Sequence, residues 1–218
     1  MGANQITELT FIDVETTAID GPAAGTDALI EIGAARVRLS DRAIVDSFEC
    51  LIKPHGPQSF NCGYGIEWAL GEYHVTAGHF AGVDWSTGLE LPHALDIMAG
   101  RFLQDGATIA GQNPGFDLRH FRRDWPETWA WPKLDYHVID LCSPALFLVM
   151  AGIVPGVSLR NVIPWAYGEP NHKQAHRAMG DVRDAIQVFW AMFDYYTTGS
   201  TPDPWVSQAI PGPVTTRE

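Results

Sequence analysis

The sequence predicts a single α/β domain built on a mixed β-sheet, and three observations predict it. The 218 residues suit one globular domain and leave little room for a second. Hydrophobic residues make up 46% of the chain, enough for a full core. Three apolar stretches near the N-terminus read as a strand followed by a two-strand meander, after which helical and strand-like patterns alternate. Strands first, then alternating helices and strands, is the order of an α/β domain whose sheet mixes antiparallel and parallel neighbours.

Leu9-Thr10-Phe11-Ile12 is β-branched or aromatic and reads as a buried strand. Residues 18–27 are rich in Gly, Ala and Pro and read as a loop. Residues 28–38 and 44–52 predict two further strands, with Ser40-Asp41-Arg42 as the turn between them. Residues 53–87 hold Pro54, Pro57 and several glycines; so long an irregular segment points to function or to a short helix within it. Residues 91–103 carry Leu91, Leu95, Met98 and Phe102 at helical spacing. A short strand is predicted at 107–110, a helix at 116–125, a strand at 138–141 and a helix at 144–151. Residues 159–167 predict another helix, kinked or broken at Pro164. The last element, 181–196, shows one apolar face through Val182, Ala185, Ile186, Phe189, Phe193 and Tyr196. From 199 onward four prolines (202, 204, 211, 213) and no periodicity predict an extended or disordered tail that could dock a partner.

The composition narrows the function classes. No apolar run approaches the ~20 residues that cross a bilayer, and residues 1–5 do not read as the start of a signal peptide. Cys50, Cys62 and Cys142 are odd in number and widely spaced, which disfavours a disulfide framework or a zinc knuckle and fits a reducing cytoplasm. The net charge of -12 is wrong for a protein that wraps long nucleic acid. It fits bound cations, a short substrate, or a partner that does the gripping. Eight tryptophans are many for this length; core packing is their ordinary use, and base stacking is the alternative.

Three acidic constellations carry the chemistry. In Phe11-Ile12-Asp13-Val14-Glu15-Thr16-Thr17, strand alternation puts Asp13 and Glu15 on one face. Two carboxylates side by side at the end of a core strand repel and lose hydration; a hard cation such as Mg²⁺ or Mn²⁺ removes both penalties. Alone, the pair also fits a strand end with two solvated acids. In Gly111-Gln112-Asn113-Pro114-Gly115-Phe116-Asp117 a strand ends at a turn and Asp117 enters the next helix, where an acid also simply complements the helix dipole. In His176-Arg177-Ala178-Met179-Gly180-Asp181, Asp181 lies four residues before Ala185 and so projects along the core-facing stripe. His176 precedes it on a loop from which an imidazole can take a proton from bound water; alone, the pair also fits a surface His and an N-terminal helix acid.

Taken together, Asp13-x-Glu15, Asn113-x-x-Phe116-Asp117 and His176-x4-Asp181 strongly resemble the motifs of the DEDDh 3′→5′ exonucleases. This family includes the proofreading subunit of bacterial DNA polymerase III, ribonuclease T and oligoribonuclease. Leu29-Ile30-Glu31-Ile32-Gly33-Ala34 is similar to the family's second strand, and the resemblance spans roughly residues 8–196. It is not the tyrosine subtype, because Arg177 stands four residues before Asp181. Ala18 replaces a usual Gly, Gln112 a frequent His, and 53–87 matches the usual connector only in a possible remnant, Val75-Thr76-Ala77-Gly78. These departures bear on the pocket for the terminal nucleotide.

The resemblance implies a ribonuclease H-like mixed sheet flanked by helices, with an exonuclease domain at 1–198 and the tail at 199–218. It implies two Mg²⁺ or Mn²⁺ ions on Asp13, Glu15, Asp117 and Asp181, with His176 as general base and 5′-mononucleotides as product. Thr16, Thr17, Asn113 and Phe116 are the implied contacts to the terminal nucleotide. Arg119, Arg122, Arg123, Arg160, Lys173, Arg177 and Arg183 lie near two motifs in sequence and predict a basic patch, or else ordinary solvated helix charges. The expected partners are single-stranded DNA or RNA 3′ ends or short oligonucleotides. A polymerase or other protein held by the tail, and a homodimer, are the further expectations. The alternatives are a subunit that works mainly through such a partner, and an exoribonuclease.

Overall fold

The structure, a computed structural model, describes residues 6–16, 29–53, 80, 83–174 and 176–200. Its described elements are β1 (Glu8–Thr16), β2 (Leu29–Arg38), β3 (Ile44–Leu51), a 3₁₀ turn (Trp85–Thr87), α1 (Leu91–Arg101), β4 (Ile109–Gly111), α2 (Pro114–Asp124), β5 (Val138–Asp140), α3 (Cys142–Met150), α4 (Leu159–Tyr167) and α5 (Ala178–Thr198). The five strands form one mixed sheet in the order β3-β2-β1-β4-β5. β1, β2 and β3 are an antiparallel meander, whereas β4 and β5 run parallel to β1.

Alternation along β1 divides the core between two faces. Leu9 and Phe11 join Ala35 and Val37 of β2 in packing on α3, α4 and α5, with Leu148, Ile163, Val182 and Ile186 filling that layer. Ile12 and Val14 join Ile32 and Ala34 on the other face, against Leu95 and Met98 of α1 and Phe121 of α2. The predicted α/β sheet flanked by helices is what forms. Asp13 and Glu15 continue the odd-numbered face, so they point toward the layer that holds α5.

Several details differ from the sequence reading. The helix expected at 116–125 begins at Pro114, whose fixed φ and missing N–H suit a first helical turn. The last helix starts at Ala178 and runs to Thr198, so Asp181 sits within its first turn. α4 runs through Pro164 without ending there; Val162, Ile163 and Ala166 are buried on either side of it, and Gly168 closes the helix in the left-handed conformation. The apolar face of α5 is covered only in part. Val182, Ala185 and Ile186 are buried, but Phe193 and Tyr196 are 47% and 46% exposed, while Val188, Trp190 and Met192 are buried instead. Most of 53–87 lies outside the described residues; within the described part are the 3₁₀ turn and a bridge from Ile52 to Leu89. Ala18, Thr17, Cys62, Val75-Thr76-Ala77-Gly78 and 201–218 also lie outside them.

Candidate active site

The site forms where β1 outruns its parallel neighbour. β4 pairs with β1 only at Thr10↔Ile109 and Phe11↔Ala110, while β1 continues to Thr16. The chain leaves β4 at Gly111, where an added Cβ would lie 2.9 Å from the Ile12 carbonyl oxygen, so glycine permits the close exit. Asn113, at φ 53°, turns the chain into α2, and its N–H donates to Asp140 Oδ1 at 3.0 Å. Asp117, one turn into α2, then meets the exposed edge of β1. Its Oδ1 accepts the Val14 N–H at 2.9 Å, the backbone group that β4 is too short to satisfy.

Helix α5 supplies the third side. Asp181 and Ala185 share its buried stripe, and the Asp181 N–H donates to the Arg177 carbonyl at 2.8 Å. Gln174 Nε2 donates to Asp181 Oδ2 at 2.5 Å, whereas Asp181 Oδ1 is buried with no hydrogen-bond partner among the described residues. Asp13, Glu15 and Asp181 each place a carboxylate oxygen within 4.8 Å of the other two. Asp117 lies outside that trio but lines the same cavity.

That cavity, about 560 Å³, is walled by Asp13, Glu15, Thr16, Asn113, Phe116, Asp117, His176 and Asp181, with Val14, Gln112, Asp140, Cys142, Val157, Ser158 and Gln174 completing it. The fold therefore gathers every described residue singled out in the three motifs; Thr17 lies outside the described residues. His176 sits at φ 50° just before α5. Gln112 donates to the Val157 carbonyl at 3.1 Å and so ties the exit of β4 to the loop before α4.

Burial and crowding drive all four acids toward protonation. Asp13 is raised well above the usual carboxylate range, first by desolvation and then by Asp117, Asp181, Glu15 and Glu31. Glu15 is pushed up to about 8 by burial and then by Asp181, Glu31 and Asp117, with Arg177 opposing. Asp117 and Asp181 each rise to about 7, again chiefly by burial; the Val14 N–H opposes the rise at Asp117, and Gln174 opposes it at Asp181. A divalent cation would reverse this, and the donor set fits one: hard oxygens only, closely grouped, one of them buried with no hydrogen-bond partner among the described residues.

Two expectations change. The seven basic residues do not line the cavity. Arg123 pairs with the adjacent Asp124, Arg177 pairs with Glu31, and Arg119 and Arg122 lie over the rings of Phe116 and Trp131. Arg160, Lys173 and Arg183 are exposed. None of the described tryptophans lines the cavity either; Trp129 and Trp131 each pack edge to face on Trp125, and the aromatic wall is Phe116. Gln174, Asp140 and Glu31 received no role from the sequence. For Glu31 there was a signal, an acid inside the apolar run Leu29-Ile30-Glu31-Ile32.

No protein-family model and no curated protein matches the chain. Solved structures do. Escherichia coli exonuclease I in complex with a dT13 oligonucleotide is 20% identical with a TM-score of 0.60, over 87% of this chain and 41% of that one. Its zinc-bound complex with single-stranded DNA is 19% identical with a TM-score of 0.61, over 90% of this chain and 42% of that one. The nuclease domain of 3′hExo, a DEDDh family member bound to rAMP, is 12% identical with a TM-score of 0.59, over 90% of this chain and 96% of that one. This chain thus spans about two fifths of the exonuclease I chains and nearly the whole 3′hExo domain. The likeness shows that the chain has the ribonuclease H-like fold of these nucleases.

Proposed function

We propose that this protein is a metal-dependent 3′→5′ exonuclease that releases 5′-mononucleotides from single-stranded or short DNA or RNA. The observation that carries the reading is the grouping of Asp13, Glu15 and Asp181 within 4.8 Å, with a buried Asp181 oxygen lacking a partner among the described residues. Two Mg²⁺ or Mn²⁺ ions would be held by Asp13, Glu15, Asp117 and Asp181, and would supply charge stabilisation at the attacked phosphate and a more acidic water.

The chain's own residues do the rest. His176 takes the proton of the attacking water on an imidazole nitrogen, which requires the neutral ring. Gln174 holds Oδ2 of Asp181, while Oδ1 is buried with no hydrogen-bond partner among the described residues. Asp117 is fixed by the Val14 N–H, so its carboxylate keeps a constant direction. Phe116 offers a ring for the terminal base, while Thr16 and Asn113 line the same cavity, where the terminal sugar would sit. An acidic cavity with no Lys or Arg among its described lining residues favours a short or frayed single strand over long duplex, whose many phosphates would meet a protein of charge -12. The single-stranded DNA and dT13 complexes of the structural neighbours support a single-stranded substrate. We assign catalysis to 1–198, in the cytoplasm, and a partner-docking role to 199–218.

The test is a time course on 5′-labelled single-stranded DNA and RNA of one sequence, with Mn²⁺ or with EDTA. The expected result is a ladder that shortens from the 3′ end with Mn²⁺ and does not change with EDTA. Intact DNA and RNA with Mn²⁺ present would overturn the reading.

A further inference from the structure

We propose that Glu31 and Arg177 form a positioning clamp that sets His176 and Asp181 against β1. The inference rests on the exonuclease reading for its kinetic consequence, but its geometry stands on the fold. Glu31 is the register partner of Glu15 across the antiparallel β1–β2 pair, on the face that α5 covers. Two carboxylates directly opposite each other destabilise a sheet, and Glu31 is completely buried. Arg177 resolves this with a fork: its Nε donates to Glu31 Oε1 at 2.9 Å and Oε2 at 3.1 Å, and its Nη2 to Oε1 at 2.5 Å. The guanidinium also lies 5.0 Å over the Phe80 ring.

The same carboxylate completes the helix. Arg177 is the residue that caps α5, and an arginine side chain has no acceptor to offer the first N–H groups. Glu31 Oε2 supplies it from β2, accepting the Ala178 N–H at 2.9 Å. Two residues along the same face, an added Cβ on Gly33 would fall 2.5 Å from the Ala178 carbonyl carbon, so the first turn of α5 rests directly on the strand. The clamp reaches the site through two covalent steps. His176 immediately precedes Arg177 and is held in the left-handed region at φ 50°, which a non-glycine residue keeps only when its surroundings fix it. Asp181 follows one turn later, its N–H donating to the Arg177 carbonyl. Arg177 is therefore a positioning residue rather than a phosphate anchor.

The test compares full-length wild type with Glu31→Gln, Arg177→Gln, the double variant and Arg177→Lys, measuring kcat, KM for a short single strand and the thermal midpoint. Each Gln variant is expected to lose roughly 10- to 100-fold in kcat with KM within about twofold, because misplacement costs rate rather than binding. The double variant is expected to lose no more than the worse single one, since the two side chains act as one unit. Arg177→Lys keeps the charge without the fork and should recover only part of the rate. An Arg177→Gln variant with wild-type kcat, or with raised KM alone, would overturn the clamp; so would losses that multiply. Amide exchange at Ala178 and Asp181 separates this from the exonuclease reading. Glu31→Gln should speed both amides at least about tenfold over those of β2 even if the wild type cleaves nothing, and unchanged exchange would overturn the clamp on its own.

Discussion

Glu31 and the pair Asp13 and Glu15 face α5 from the same side of the sheet, and the fold surrounds them differently. Glu31 is fully buried, yet it receives a guanidinium fork and a helix N–H. Glu15, directly across from it in register, faces Asp13 and Asp181 instead, and burial drives all three toward protonation. The difference separates an acid that the fold has matched from acids that it has crowded together. Glu31 meets a guanidinium fork from the chain, whereas burial and neighbouring acids raise Asp13, Glu15 and Asp181 toward protonation, and in the proposed function a bound cation would offset their charge.

The largest effect that could break this contrast is on rate. Asp13→Asn or Asp181→Asn should lower strand cleavage by at least about 10³-fold while the protein stays folded, because each removes an anionic ligand from the cluster. Cleavage at the wild-type rate by either variant, followed on labelled single strand, would place the chemistry elsewhere. His176→Ala should cost roughly 10²- to 10⁴-fold, the range of a positioned general base. A fourth substitution bears on the structural side. Gly33→Ala brings a methyl group into backbone contact range of Ala178. It should destabilise the fold by about 1–3 kcal/mol in urea denaturation, with kcat falling as the start of α5 is displaced.

A smaller effect separates the two groups by pH. Glu15 is raised from 4.5 to about 8, and Asp117 and Asp181 from 3.8 to about 7. With folded values above unfolded ones, the folded chain holds more protons between them, so stability in EDTA should fall as pH rises from about 4 to about 8. Millimolar Mn²⁺ should flatten that slope. A urea midpoint in EDTA that rises across this window would contradict the assignment.

Much of the fold and part of the site were legible in the sequence, for identifiable reasons. Asp13 and Glu15 share a face because alternation in a strand is obligatory, and Asp181 points inward because it lies on the stripe of Ala185. What escaped depends on contacts distant in sequence. Arg177 reads as a basic surface residue until β2 brings Glu31, 146 positions away, beneath it. Phe193 and Tyr196 continue an apolar period past the point where the sheet covers the helix, so periodicity overstated the buried face. Asn113 adopts the left-handed conformation to turn a strand directly into a helix, a geometry that a Gly-Gln-Asn-Pro-Gly string permits but does not specify.

The central claim is that the trio of carboxylates needs a divalent cation to be stable in its charged form. The most direct test is the thermal midpoint of wild type and Asp181→Asn at pH 7.5, each in EDTA and in millimolar Mn²⁺. The account predicts that Mn²⁺ raises the wild-type midpoint by several degrees, since a ligand that binds only the folded state stabilises it by about 2.7 kcal/mol at a hundred times its Kd. It also predicts that Asp181→Asn in EDTA melts at or above the wild type, relieved of a buried like charge, and barely responds to Mn²⁺. A wild-type midpoint indifferent to Mn²⁺, or an Asp181→Asn variant that responds as the wild type does, would contradict it.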